Sequence, residues 1–202
     1  MIDQLKERPI LFSAPMVRAI LGGSKTQTRR VIKPQPPMKH EWLGWITSTT
    51  GRNKDIGCAC WQNDSIPLNH VVHCPYEVGM KLWVRETWAT FCTLNKIKPS
   101  DMDPASQIYF RADPGVNESH FMWRPSIFMP RWASRITLEI VNIRVERVQD
   151  ITYLDAIAEG VDRDWPEKNY HLLWDRINAK RGFGWHVNPW VWVVKFKTIR
   201  RR

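Results

Sequence analysis

A long alternating segment at 135–148 constrains the fold most. Its apolar residues occupy every second position up to Ile140, as in a β-strand with one buried face. The alternation then shifts phase at Val141 and Asn142, as a β-bulge would produce. Further strands are predicted at 9–12, 26–32, 80–86, 107–112 and 189–198. The chain is therefore predicted to consist mainly of β-strands.

Three short helices accompany these strands. The first is predicted at 15–21, with Ser13 as its N-cap. The second is predicted at 152–160. The third is predicted at 166–178 and has apolar residues at Leu172, Leu173, Trp174 and Ile177. Many strands with a few short helices indicate an α+β fold, a small barrel with flanking helices rather than a parallel α/β sheet.

Length and loop composition predict one domain over 1–202. A chain of 202 residues can bury one good core and is short for two. Two polar stretches, at about 38–72 and 93–106, show no sustained period. Both are predicted to be loop insertions, the first with room for a hairpin.

The run from Gly22 to Arg30 places an amine, a hydroxyl and two guanidinium groups directly after the first helix. Gly22 and Gly23 are expected to end that helix. In a regular strand, Lys25 and Thr28 would point to opposite faces. A shared role for these two side chains therefore requires irregular backbone where the chain leaves the helix.

Glu86 is a second candidate for function. In the strand predicted at 80–86 it shares a face with Leu82 and Val84, so its carboxylate points inward. An inward carboxylate is either paired with a cation or used in function, whereas an edge position would leave it solvated.

The balance of charges favours an anionic partner. The chain has 30 Lys and Arg against 20 Asp and Glu, a formal net charge of +10, so nucleic acid is the first candidate. Most of the twelve tryptophans are expected in the core, while a few could stack on a base. No apolar run approaches the roughly 20 residues that span a bilayer, so no membrane partner is expected and a soluble, cytoplasmic protein is predicted.

The four cysteines are too few and too irregularly spaced for a secreted disulfide framework, so reduced thiols are predicted. Their alternative role is in metal binding. Zinc ligands could come from Cys58, Cys60, His70, His73 and Cys74. A structural zinc knuckle, however, has two residues between its paired cysteines, and here only one separates them. The other interpretation is that these are small side chains in or beside a loop.

Several motifs together resemble the ASCH family. They are Arg8–Phe12, Gly23–Arg30, Gly79 with Leu82–Trp88, Met129–Arg135, Asp155-Ala156 with Glu159-Gly160, and Asn188–Trp192. The resemblance covers nearly the whole chain and is strongest to the long ASCH proteins of bacteriophages and prophages. It implies a PUA-like β-barrel whose cleft recognises RNA or modified nucleobases, in the host cytoplasm if the gene is of phage origin.

The resemblance also implies a reaction. One small bacterial ASCH enzyme hydrolyses the acetyl amide of N4-acetylcytidine with a lysine, a threonine and a distant glutamate, which correspond to Lys25, Thr28 and Glu159 here. No cofactor or metal is implied. The positions expected to bind substrate are Arg29, Arg30, Glu86 and Trp88. Oligomeric state is not predicted.

Amide hydrolysis needs a nucleophile, a proton relay and oxyanion donors. Thr28 could attack the acyl carbon while Lys25 or Glu159 relays the proton, and Arg29 or a backbone N–H could steady the negative charge. A neutral Lys25 requires a large fall from its usual pKa of about 10.4, so a charged Lys25 with Glu159 as base is equally admissible. Glu86 is the spare carboxylate.

The alternative is a non-catalytic RNA- or DNA-binding module, or a nuclease. In the non-catalytic case Lys25, Arg29 and Arg30 contact phosphates. Thr28 then bonds the backbone, and Glu86 and Glu159 are buried ion-pair partners.

Overall fold

The computed structural model describes residues 7–37, 40–47, 57–63, 66–94, 96–115 and 121–199. Three α-helices and ten strands lie in this part of the chain, which confirms the α+β class. The helices are α1 Ala14–Leu21, α2 Tyr153–Ala158 and α3 Pro166–Asn178. The strands are β1 Glu7–Leu11, β2 Gln27–Val31, β3 Glu41–Trp45, β4 Ala59–Asn63, β5 Ile66–Val72, β6 Lys81–Arg85, β7 Trp88–Ala89, β8 Tyr109–Phe110, β9 Thr137–Arg147 and β10 Trp190–Ile199.

The chain divides into two compact units. Unit 1 takes its described residues from Met1–Thr26, Gly79–Val141 and Phe196–Arg202, and unit 2 from Gln27–Val78 and Asn142–Lys195. Strands β9 and β10 therefore contribute residues to both units. Closure into a PUA-like barrel and a single domain stay predictions.

In unit 1, β6 lies between β1 and β9. It pairs parallel with β1, Leu82 opposite Arg8, and antiparallel with β9, Leu82 opposite Leu138. Both leucines are fully buried, as the alternating pattern of each strand predicts. Val17 and Ile20 of α1 are buried as well.

Helix α1 begins without the predicted side-chain cap. Ser13 occupies the N-cap position, but its side chain makes no capping hydrogen bond. An N-cap side chain bonds to the N–H groups of the second or third helical residue. Here the second residue is Pro15, which has no N–H, so one of the two donors is missing.

In unit 2, β2 pairs antiparallel with β10, Arg29 opposite Val193. Helices α2 and α3 supply Ala156, Tyr170 and Trp174 to a buried cluster with the β10 residues Val191 and Val193. Thr152 caps α2, its side chain accepting a hydrogen bond from the Asp155 N–H.

Of the four apolar residues noted in α3, only Trp174 is buried. Leu172 and Ile177 are 61% and 45% exposed, whereas Tyr170 and Trp174 are buried. Residues four apart in a helix share a face, so burial of Tyr170 and Trp174 places Leu172 elsewhere on the helix surface. Aromatic side chains, with the larger apolar area, determine which face turns inward.

The stretch at 38–72 is also more regular than predicted. Its described residues form a three-stranded antiparallel sheet in the order β3-β4-β5. The register shifts between Trp42 and Gly44 and again between Trp61 and Asn63. Such irregularities interrupt the period-2 pattern by which strands are recognised in a sequence. In the described part of the chain no helix is long and apolar enough to cross a membrane.

Candidate functional site

Lys25 lies in irregular backbone between α1 and β2. Gly22 and a left-handed Gly23, with φ of +78°, end the helix, and the Lys25 N–H bonds to the Ala19 carbonyl at 3.0 Å. A shared role of Lys25 and Thr28 needs such a departure from a regular strand, and that role stays a prediction. The Lys25 side chain is only 1% exposed, and its Nζ lies 5.4 Å from the centre of the Phe12 ring, both in unit 1.

Strand β2 divides its polar side chains between two faces. The Gln27 side chain donates to the Asp155 carbonyl, and the Arg29 side chain bonds to the Asp155 carboxylate, so both turn toward α2. Alternation along the strand then places Thr28 and Arg30 on the opposite face. Thr28 is 5% exposed. The strand itself does not direct Thr28 toward α2.

Arg29 is the centre of a buried ion-pair network in unit 2. Its Nη1 donates to Glu159 Oε1 at 3.3 Å, and its Nη2 donates to Glu146 Oε2 at 2.8 Å and to Asp155 Oδ2 at 3.1 Å. Arg144 pairs with the same Glu146 and Asp155. The Arg29 side chain has no exposed area, and that of Glu159 is 4% exposed. We call these five residues the Arg29 network.

Burial and charge act in opposite directions on Arg29. Burial lowers the pKa of its guanidinium, but Glu159, Tyr170, Glu146 and Asp155 raise the pKa by more, so the net pKa is raised. Arg29 is therefore permanently charged. Tyr170 is buried beside this network, where burial and then the charge of Glu159 hold the pKa of its hydroxyl well above 10.

Asp155 makes the stability of unit 2 sensitive to acid. Burial raises the pKa of Asp155, but the hydrogen bond from Arg144 and the charges of Arg29 and Arg144 outweigh it, and the pKa falls below its ordinary 3.8. A carboxyl with a lowered pKa in the folded state stabilises the fold above its unfolded pKa and loses that contribution as pH falls through the folded one.

We therefore expect Asp155→Asn to be less stable than the parent protein at pH 7, and the gap to close below about pH 4. Urea unfolding of both proteins at several pH values measures the gap. A gap as wide at pH 3 as at pH 7 would contradict the ion-pair role of Asp155.

Glu86 is paired with a cation, which is one of the two roles expected for an inward carboxylate at this position. In unit 1, Arg135 Nε and Nη2 donate to the two carboxylate oxygens of Glu86 at 2.9 and 3.0 Å, and Arg135 Nη1 donates to Asp113 Oδ1 at 2.6 Å. Glu86 is 1% exposed, and its burial raises its pKa despite the opposing effect of Arg135. We call these three residues the Arg135 network.

Trp88, predicted to bind substrate, is placed in the core of unit 1. It is completely buried in a cluster with Met102, Met129 and Ala133. Half of the twelve tryptophans are buried in this way, and Trp165 alone among them is largely exposed, at 79%. As placed, Trp88 supports packing, and its ring is not open to a base.

The residues considered for zinc do not form a cluster of ligands. Cys58 Sγ lies 3.7 Å from His73 Nδ1, but no group of three or more potential ligands comes together within the described ranges. None of the four cysteines, all of which lie in the described ranges, forms a disulfide. Burial raises the pKa of Cys60. Burial also raises the pKa of Cys74 to about 11. A backbone hydrogen bond opposes this rise, and the nearby Cys58 and Glu77 add to it.

We expect Cys92 to be the one thiol that reacts rapidly in the native protein. Cys58, Cys60 and Cys74 are at most 5% exposed, whereas Cys92 is exposed. Thiol reactivity requires access and the thiolate form. Titration with a colorimetric disulfide reagent should give one fast equivalent per chain, four in urea and none in native Cys92→Ser. Two or more fast equivalents in the native protein would contradict this burial.

Sequence reasoning missed the partners of both networks, Arg135 with Asp113 and Arg144 with Glu146. The alternation of β9 carries a signal for one of them, because Arg144 and Glu146 are two apart and share a face of the strand. Asp113 lies 22 residues along the chain from Arg135, a separation that leaves no local pattern.

Comparisons with known proteins give two similar structures. No family model matches the chain, and no curated protein matches it. A crystal structure of a DUF984 family protein from Enterococcus faecalis V583 has a TM-score of 0.44 and 6% identity, over 96% of this chain and 76% of that one. A crystal structure of an ASCH domain from Lactobacillus crispatus JV V101 has a TM-score of 0.44 and 12% identity, over 97% of this chain and 81% of that one. Identities this low say nothing about a shared activity.

Proposed function

We propose that this protein binds nucleic acid and recognises a nucleoside or nucleobase within it. The observation that carries the proposal is the composition of the Arg29 and Arg135 networks, which hold three arginines and five carboxylates. Without the residues of the two networks, 27 of the chain's 30 basic residues and 15 of its 20 acidic residues remain. The rest of the protein is therefore more basic than the composition suggests, at a net +12.

Such an excess favours a polyanion. Each phosphate that a lysine or arginine neutralises releases bound counterions, and this term supplies most sequence-independent affinity. Arg29 does not contribute, because its guanidinium is bound to three carboxylates. Of the two nucleic acids, the ASCH resemblance favours RNA.

The test is the fluorescence anisotropy of a fluorescein-labelled 12-nucleotide RNA titrated with the protein. We expect a Kd in the range of about 10⁻⁶–10⁻⁴ M at physiological salt, as for non-specific nucleic-acid binding. Unlabelled RNA should compete at similar concentrations, and free cytidine far more weakly. A gel of the same RNA after incubation reports any nuclease activity.

A buried lysine favours a second candidate, hydrolysis of the N-acyl amide of N4-acetylcytidine. Lysine is almost never fully buried unless it is paired, and Lys25, which the ASCH resemblance assigns to this reaction, is 1% exposed. In the proposed reaction Thr28 Oγ1 attacks the acetyl carbon, the C–N bond breaks as the amine takes a proton, and cytidine leaves. Water then hydrolyses the acetyl-threonine ester, releasing acetate and restoring the hydroxyl.

The roles of the other two residues follow from their surroundings. Lys25 would relay the proton or stabilise the oxyanion. Glu159 Oε1 accepts a hydrogen bond from Arg29, so Glu159 would act as base while it is also a member of the Arg29 network. In this proposal Lys25, which is not part of the Arg29 network, is the first candidate to act with Thr28.

A further inference from the structure

A small sheet in unit 1 carries aromatic side chains on both of its faces. Strand β7 pairs antiparallel with β8, Trp88 opposite Phe110 and Ala89 opposite Tyr109. Phe110 packs against the buried Trp88 cluster, with the Arg135 guanidinium 3.9 Å from its ring centre. Because neighbouring residues of a strand point to opposite faces, Tyr109 faces away from that cluster.

Tyr109 belongs to a series of four rings, which we call the aromatic ladder. The Phe91 and Tyr109 ring centres are 5.5 Å apart at an interplanar angle of 84°. Those of Tyr109 and Phe121 are 4.2 Å apart at 35°, and those of Phe121 and Trp123 are 5.9 Å apart at 58°. The edge contact from Tyr109 fixes the orientation of the Phe91 ring.

The ladder is partly open to solvent. Phe91 is 50% exposed, its other three members are half-buried, and Met122 between two of them is 63% exposed. None of the four rings belongs to the buried cluster of this sheet. A contiguous exposed apolar patch of this kind marks an interaction site more often than isolated exposed residues do.

Cations come from the same segments as the rings. Arg124, which follows Trp123, donates to the Leu94 and Ile97 carbonyls and so holds the segment that carries the exposed Lys96 and Lys98. Arg111, two residues after Tyr109, is exposed as well. Asp101 and Asp103 lie in the same segment, where they accept hydrogen bonds from Ser100 and the Ala105 N–H.

We infer that the aromatic ladder binds single-stranded nucleic acid, with a base stacked on Phe91 and the backbone near Lys96, Lys98 and Arg111. Stacking on an aromatic ring needs an unpaired base and tolerates any sequence, because every base has a π-face. The inference rests on the proposed function and deepens it, because it specifies that the protein recognises the nucleoside within a single strand.

The test compares Phe91→Leu with Tyr153→Leu, a matched control. Both substitutions remove an aromatic ring of about half exposure, 50% and 49%, and Tyr153 lies in α2 of unit 2. Phe91→Leu should bind a 12-nucleotide RNA about 5- to 100-fold more weakly than the parent protein. Tyr153→Leu should bind within about twofold. Thermal melts of both variants confirm that they are folded.

Two further readouts bear on the site. RNA should slow the reaction of Cys92, the neighbour of Phe91, with a thiol reagent, and a duplex of the same sequence should compete poorly. A DNA 12-mer of that sequence separates base stacking from recognition of the ribose. Equal affinity of Phe91→Leu and the parent protein would overturn the ladder site while leaving the proposed function intact. Absence of RNA binding by the parent protein would overturn both.

Discussion

Replacing Arg29 by methionine should lower the free energy of unfolding by about 3–5 kcal/mol. Methionine keeps much of the apolar stem but removes the charge. Glu159, at 4% side-chain exposure, then loses its ion pair with Arg29, and Glu146 and Asp155 keep theirs with Arg144. Removing one partner of a buried ion pair is costly because it leaves an uncompensated buried charge.

Urea unfolding measures this loss, with Lys197→Met as the control. Lys197 pairs with Glu139 at 2.9 Å, but the two side chains are 60% and 31% exposed. An exposed pair contributes no more than about 1 kcal/mol. If Arg29→Met lowered the free energy of unfolding as little as the control does, Arg29 would not be the buried centre of a stabilising ion-pair network.

Lys25→Met should reduce the release of cytidine from N4-acetylcytidine by about 10²–10⁴-fold if the protein hydrolyses this amide. Methionine fills a similar space without the amine, so the proton relay and the charge at the oxyanion are lost together. Chromatography of the reaction under single-turnover conditions measures cytidine directly.

Lys33→Met is the matched control, because Lys33 also places its amine over a ring, 5.1 Å from the centre of Phe183, yet is exposed. It should leave turnover within about twofold. The turnover of Thr28→Val should fall to background, and Thr28→Ser should retain activity, since only serine keeps the hydroxyl. Release of cytidine at the same rate by Lys25→Met and the parent protein would exclude a catalytic Lys25.

Local patterns predicted most of the regular elements. The alternation of β9 located the longest strand, and the phase shift at Val141 and Asn142 appears as two consecutive exposed residues. The inward turn of Glu86 followed from period 2 alone. These features depend on neighbours along the chain, which a sequence displays directly.

Features set by distant contacts were not predictable in the same way. Arg29 was expected to face substrate or phosphate, but residues 117 to 130 positions away along the chain surround it with carboxylates. The sheet β3-β4-β5 was hidden by shifts of register. Whether Lys25, Thr28 and Glu159 act together stays a prediction. Strand alternation determines which face of β2 carries Thr28, but it does not show that these three residues catalyse a reaction.

The salt dependence of RNA binding tests the central claim most directly. The claim is that basic residues outside the two networks bind a polyanion. Between 50 and 200 mM salt, affinity for the single-stranded 12-mer should fall about 20- to 50-fold, as expected for three or four phosphates at a slope of about −0.7 each. An affinity that does not change over this range, or no binding at 50 mM salt, would contradict it.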